Sequence, residues 1–353
     1  MLTRLPGLTD VHVHLREPGA THKEDWDTGT AAALAGGFTT VLAMPNTQPA
    51  IINANTFQQS LEAARVKARC DYAQYVGGNA ENSTDAAQLS RHAAGLKLYL
   101  DQTYGDLKLD DLTSWMPHFA TWPKDAPLAV HAEGKTLAAA ILLASIYARP
   151  VHLCHVSRRE EILLIRAAKE KGLPVTCEVC PHHLFLSEDD IPALGAGRCE
   201  VRPRLATKAD QEALWDNLDV VDCFATDHAP HTLAEKDGET PPPGFPGLET
   251  ILPLLLTSVS QGQLSLEDLI SRLHTNPNRI FNIPTQPETY IEVDLTANYL
   301  VRAADQFTRC GWTPFEGRQV TGRLHRVVLR GQTAYEDGQV LASQGAGLNI
   351  RTH

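Results

Sequence analysis

Through the first two thirds of the chain, short apolar runs rich in β-branched residues alternate with longer stretches of helical spacing. The runs at 10–16, 38–45, 72–76, 95–100, 127–131, 151–155, 175–179 and 222–227 read as strands. Between them, 24–36, 55–69, 83–94, 110–122, 136–147 and 207–217 read as helices, and another follows residue 156, with Ser157-x-x-Glu160 as a capping box and Gly172 as its stop. Eight strand–helix units predict an α/β fold, a closed parallel (β/α)8 TIM barrel whose working face is built at the carboxyl ends of the strands. An open doubly wound sheet would share the alternation, but its two edges would not gather strands one, four, five, six and eight around one point.

Beyond Asp227 the pattern changes. The stretch 230–246, with Pro241-Pro-Pro-Gly-Phe-Pro246, is a stiff loop that cannot join a sheet and predicts a wall for the pocket. Helical spacing returns over 248–260 and 265–273, the latter capped by Ser265. After Pro284 the period turns to two, with Glu336-Asp-Gly338 as a hairpin turn. The expected organisation is a metal-dependent barrel over 9–285 and a small β subdomain over 286–353, completed by residues 1–8.

Composition narrows the function classes. The 353 residues carry a formal charge of −11, which argues against nucleic acid or an anionic membrane surface as the main partner. An anionic substrate would need local arginines. No apolar run approaches about 18 residues, and no secretory pattern precedes Asp10, so neither a span nor a signal is expected. Seven cysteines, an odd number without framework spacing, point to a reducing compartment. Cys177-x-x-Cys180 lacks a second pair nearby, and a strand at 174–180 sets its thiols on opposite faces, so the pair reads as structural.

The candidate chemistry sits at the strand ends. In Asp10-Val-His-Val-His-Leu-Arg16, period-two alternation puts Asp10, His12 and His14 on one face and Val11, Val13 and Leu15 on the other. Taken alone, His-x-His fits two satisfied core imidazoles as well as a metal site. What favours the metal is recurrence: His131, His155, Glu178, the His182-His183 pair and Asp227 fall at the ends of later strands. Such an N/O donor set suits zinc with an open position for water. Lys97, in Gly-Leu-Lys-Leu-Tyr-Leu, would be costly inside a barrel as an ammonium, whereas a neutral amine can take up carbon dioxide as a carbamate that bridges two cations.

The motifs Asp10-Val-His-Val-His-Leu-Arg16, Met44-Pro-Asn46, Gly95-Leu-Lys97, His131-Ala-Glu133, Cys154-His155, Thr226-Asp-His-Ala-Pro230 and Pro242-Pro-Gly-Phe-Pro-Gly-Leu-Glu249 together resemble dihydroorotase of the amidohydrolase superfamily. More narrowly, they resemble the dihydroorotase domain of multifunctional animal pyrimidine-synthesis proteins. The resemblance implies a zinc-dependent, reversible cyclisation of N-carbamoyl-L-aspartate to (S)-dihydroorotate. It implies two zinc ions bridged by carboxylated Lys97, with His12, His14 and Asp227 on one and His131 and His155 on the other. Cys154 and Glu178 match positions of a third zinc, although Glu178 equally suits a carboxylate that orients a histidine. Arg16, Asn46, Arg202, His231 and the Pro243 loop would hold the substrate, with Arg16 and Arg202 forming the planar fork for its carboxylate. Asp227 would shuttle the proton, and Thr103 and Tyr104 would lie on a mobile loop in which Tyr104 replaces an expected phenylalanine. A homodimer in the cytoplasm, flanked by other pyrimidine-synthesis domains, is further implied; the first strand begins within ten residues of Met1, as in a domain cut from a larger polypeptide. The rivals are another cyclic amidase, a hydantoinase or dihydropyrimidinase, and an inactive scaffold.

Overall fold

The computed structural model describes residues 2–351. Strand β1 (Leu2–Pro6) leads directly into β2 (Leu8–Val13), which pairs in parallel with β3 (Phe38–Ala43), and β3 in turn with β4 (Asp71–Gln74). Across Tyr75 the chain continues as β5 (Val76–Gly77). A parallel series follows: β6 (Leu96–Tyr99), β7 (Leu128–His131), β8 (Val151–Leu153), β9 (Val175–Val179) and β10 (Cys223–Phe224). A parallel bridge from Val13 to His228, with His14 N–H donating to the His228 carbonyl at 2.7 Å, joins the two ends. Counting β4 and β5 as one interrupted strand, eight strands close into the (β/α)8 barrel. Helices such as Trp26–Ala35, Lys135–Ile146 and Arg159–Glu170 shield its outer face.

Alternation along the strands separates lumen from outer layer. Leu96, Leu98, Leu128, Val130 and Leu153 face the large outer core, while Lys97, Ala129, His131 and Cys154 take the opposite parity. Strand β2 breaks this rule. Val11 packs with Leu42, Ala73, Ala129 and Ala225 rather than with Val13 and Leu15, because register with β3 slips between Asp10 and Val13 and a bulge re-aims one side chain.

The C-terminal strands β11 (Tyr290–Leu300), β12 (Gln319–Leu329), β13 (Gln332–Glu336) and β14 (Gln339–Val340) form an antiparallel sheet that β1 completes, in the order β1-β11-β12-β13-β14. At the hairpin, Asp337 and Gly338 both take positive φ, as an Asp-Gly turn requires. The segment between β11 and β12 leaves this sheet and straps the barrel mouth: Trp312 Nε1 donates to the His231 carbonyl at 2.7 Å. The cap expected at Ser157 differs as well. Arg158 occupies the N-cap, so the Glu161 carboxylate, not Glu160, accepts from Ser157 and Arg158 N–H. The helix expected over 83–94 is short, Ser83–Gln88. Among the described residues no helix is long and apolar enough to cross a membrane.

Candidate metal and substrate site

The ligand half of the barrel mouth is built from strand ends. The Asp10 carboxylate accepts from His12 N–H and Thr226 N–H, tying β2 to the chain beyond β10. His12 Nδ1 meets Glu178 Oε1 at 2.5 Å, and Glu178 Oε2 takes His152 Nε2 at 3.0 Å. Asn46 Nδ2 donates to the Tyr104 carbonyl, so its Oδ1 faces His14 Nδ1 as an acceptor at 2.7 Å. Each imidazole thus gives its Nδ1–H to an oxygen and turns Nε2 into the mouth. The two Nε2 atoms lie 3.2 and 3.0 Å from the same oxygen, Asp227 Oδ1.

This arrangement tests the fit of a metal. Burial holds His14 down at about 4, so it is neutral. Burial would raise Asp227, but the imidazoles of His12, His14 and His155 more than offset that and keep its carboxyl well below the usual range. The Nε2 atoms of His12 and His14 and a carboxylate oxygen of Asp227 therefore converge on one point. A cation satisfies all three.

A second pair stands alongside. His131 Nδ1 and His155 Nε2 face each other at 2.8 Å, and His155 Nδ1 is buried without a hydrogen-bond partner. Burial lowers both rings, helped at His131 by Lys97 and at His155 by His131 and Lys97. Lys97 is fully buried, its Nζ 3.0 Å from Cys154 Sγ. Donor atoms of His12, His155 and Asp227 lie within 4.8 Å of one another, as do those of His12, Cys154 and Glu178. Glu178 spends both carboxylate oxygens on His12 and His152, so in this structure it orients imidazoles.

The other half of the mouth is cationic. Arg16 Nε donates to the Pro230 carbonyl at 3.0 Å, and its guanidinium lies over the Tyr104 ring. His231 faces Lys23 Nζ through Nδ1 and the Pro243 carbonyl through Nε2, each at 3.0 Å. Burial and the neighbouring Arg16, Lys23 and Lys236 keep His231 uncharged. Lys236, fully buried and brought down to about 8, donates to the carbonyls of Glu200, Pro242 and Gly244 and so pins the proline-rich loop. Tyr104 packs edge-on against His231 at 5.1 Å, with Thr103 just before it in the loop folded over the mouth. Arg202 is not joined to Arg16; its guanidinium pairs with Glu200 and donates to the Val201 carbonyl.

Sequence reasoning missed Lys23, Lys236 and the strap residue Trp312, none of which sits in a motif with metal or carboxylate spacing. It also missed strain. Arg16, His155 and Asp227 adopt φ of 58°, 38° and 45°, a left-handed conformation that costs of order 1 kcal/mol or more in non-glycine residues and persists where the surroundings dictate it.

A dihydro-orotase-like family profile matches residues 3–107. The chain is 57% identical over 99% of its length to multifunctional protein CAD of Squalus acanthias, and 55% identical over 99% to multifunctional protein pyr1-3 of Dictyostelium discoideum. It spans 16% of each of those relatives. Among solved structures, L-hydantoinase from Arthrobacter aurescens superposes with a TM-score of 0.93 at 25% identity, covering 98% of this chain and 88% of that one. An inactive dihydroorotase-like domain of a Chaetomium thermophilum CAD-like protein superposes with a TM-score of 0.85 at 29% identity, covering 99% of both. Dihydroorotase of Pyrococcus abyssi is 36% identical, the match covering 96% of this chain and 84% of that protein. The chain belongs to the dihydroorotase family.

Proposed function

We propose that the chain interconverts N-carbamoyl-L-aspartate and (S)-dihydroorotate, as a zinc-dependent cyclic amidase in de novo pyrimidine biosynthesis. One observation carries the reading: the Nε2 atoms of His12 and His14 converge on Asp227 across the mouth from the guanidinium of Arg16. The first half takes a cation, the second an anionic substrate. His12, His14 and Asp227 would hold one zinc ion and His131 and His155 another, with Lys97, carboxylated on Nζ by carbon dioxide with loss of a proton, between them. When bound, the ions supply Lewis acidity at the reacting carbonyl and an acidified water. A third ion at Cys154 and Glu178 would compete with His12 for a carboxylate oxygen it already occupies.

The protein's own groups do the rest. His231 Nδ1 must be a lone pair toward the Lys23 ammonium, so its Nε2–H goes to the Pro243 carbonyl. The Arg16 arm 3.0 Å from that Nε2 therefore faces a donor and is available to a carboxylate. Arg202 would join it on leaving Glu200, and the Thr103–Tyr104 loop would open to admit substrate. Asn46 positions His14 and closes on the Tyr104 carbonyl. Asp227 would accept the ureido proton in closure and return it in opening. Because closure consumes a proton, lower pH favours the ring.

The chain's match to about a sixth of its multifunctional relatives supports neighbouring pyrimidine-synthesis domains and a cytoplasmic setting. Exposed Leu142, Ile146, Leu163 and Leu164, on two adjacent helices, offer an apolar face for a homodimer. The test is a side-by-side assay of the zinc-loaded chain on dihydroorotate and dihydrouracil. Turnover of dihydroorotate with little of dihydrouracil supports the reading; preference for dihydrouracil would make this a dihydropyrimidinase, and inertness toward both an inactive scaffold.

A further inference from the structure

Just past β9 the chain turns into the short helix Pro181–Phe185, and there Cys180, His182 and His183 bring one donor atom each within 4.8 Å of the others. All three are buried. The reaction described above uses none of them. His183 Nε2 donates to the Pro203 carbonyl at 3.1 Å, which leaves Nδ1 as a lone pair, and that Nδ1 has no hydrogen-bond partner. His182 Nε2 has none either, and the two ring centroids lie 4.3 Å apart with their planes tilted by 60°. Cys177, on the opposite strand parity, is spent elsewhere, its thiol directed at the Val220 carbonyl.

An unpaired buried polar atom costs about 1–3 kcal/mol, so two in one corner beside a thiol call for an occupant. Water would satisfy the nitrogens and make no use of the sulfur. One sulfur and two imidazole nitrogens, one ring anchored through its far nitrogen to a backbone carbonyl, form the donor set of a tetrahedral zinc site with one open position.

We infer that Cys180, His182 and His183 bind a single zinc-class divalent cation, separate from the paired site of His12, His14, Lys97, His131, His155 and Asp227. On binding, the Cys180 S–H bond breaks, a sulfur–metal bond forms and the proton leaves to solvent. Through the His183–Pro203 hydrogen bond the occupied site would steady the segment bearing Arg202. This inference stands whatever the paired site catalyses.

The test reconstitutes the full chain with cobalt(II) and follows the thiolate-to-cobalt charge-transfer band together with cobalt bound per chain. Cys180→Ser is expected to lose one equivalent of cobalt and the part of the band that survives in Cys154→Ser. A band and stoichiometry unchanged by Cys180→Ser would overturn the site. Should that variant fail to fold, an anomalous difference map of the unaltered zinc-loaded protein decides. A peak about 2.3 Å from Cys180 Sγ and about 2.1 Å from His183 Nδ1 is expected; density there without anomalous signal, or no density, refutes the inference.

Discussion

The two halves of the barrel mouth are finished to different degrees. In the cationic half each charge already has a partner: Arg16 the Pro230 carbonyl, Lys236 three loop carbonyls, and Lys23 the Glu235 carboxylate and the lone pair of His231. In the ligand half, four imidazoles and a carboxylate crowd their donor atoms toward one another. The first folds without help and waits for an anion, whereas the second is strained until a cation arrives. The difference shows which residues set metal affinity and which set substrate affinity.

The comparison breaks most visibly at Lys97. Lys97→Met should lower turnover about a thousandfold, on the order of 4 kcal/mol, and release metal while leaving circular dichroism unchanged. Retained metal and activity would mean that the lumen lysine belongs to neither half. Acid is the next lever. Burial holds His14 and His183 at about 4 in the folded chain, against about 6.5 when unfolded. Between those values the unfolded chain binds protons that the folded one refuses, so the stability is whole above about 6.5 and drains as pH falls toward 4. In the metal-free protein the two groups together predict a loss of about 2.7 kcal/mol per pH unit in that window, read from urea midpoints. A flat profile would contradict the neutral imidazoles.

Arg16→Lys probes the other half alone. A lysine cannot donate to Pro230 and reach a carboxylate at once, so KM should rise about thirtyfold, near 2 kcal/mol, at unchanged metal content. Lost metal would show that the halves are one unit. Glu178→Gln should weaken metal binding about tenfold in a chelator competition by loosening His12, with less effect on KM. Smallest is Tyr104→Phe, whose hydroxyl stands 3.5 Å from Lys23 Nζ; a change in KM of about twofold or less is expected, because a contact that long contributes little.

Much of the ligand half was legible because two rules act together: alternation along a strand, and the placement of chemistry at the carboxyl ends of barrel strands. Lys97 and His131 fall under both, and His12, His14, His155 and Asp227 under the second. Val11 escaped because a bulge is a register event between two strands, invisible in one. The positive φ of Arg16, His155 and Asp227 was hidden for a similar reason, since local preference would put glycine or asparagine there and tertiary packing overrides it. Lys23, Lys236 and Trp312 reach the mouth from loops through backbone carbonyls, contacts that leave no spacing to read.

Electron density at Lys97 Nζ in crystals of the zinc-loaded protein tests the central claim most directly. The account predicts a planar carboxylate on that nitrogen, lying between two anomalous peaks, one among His12, His14 and Asp227 and the other beside His131 and His155. A bare amine still resting on Cys154, with no peak between the imidazoles, would contradict it.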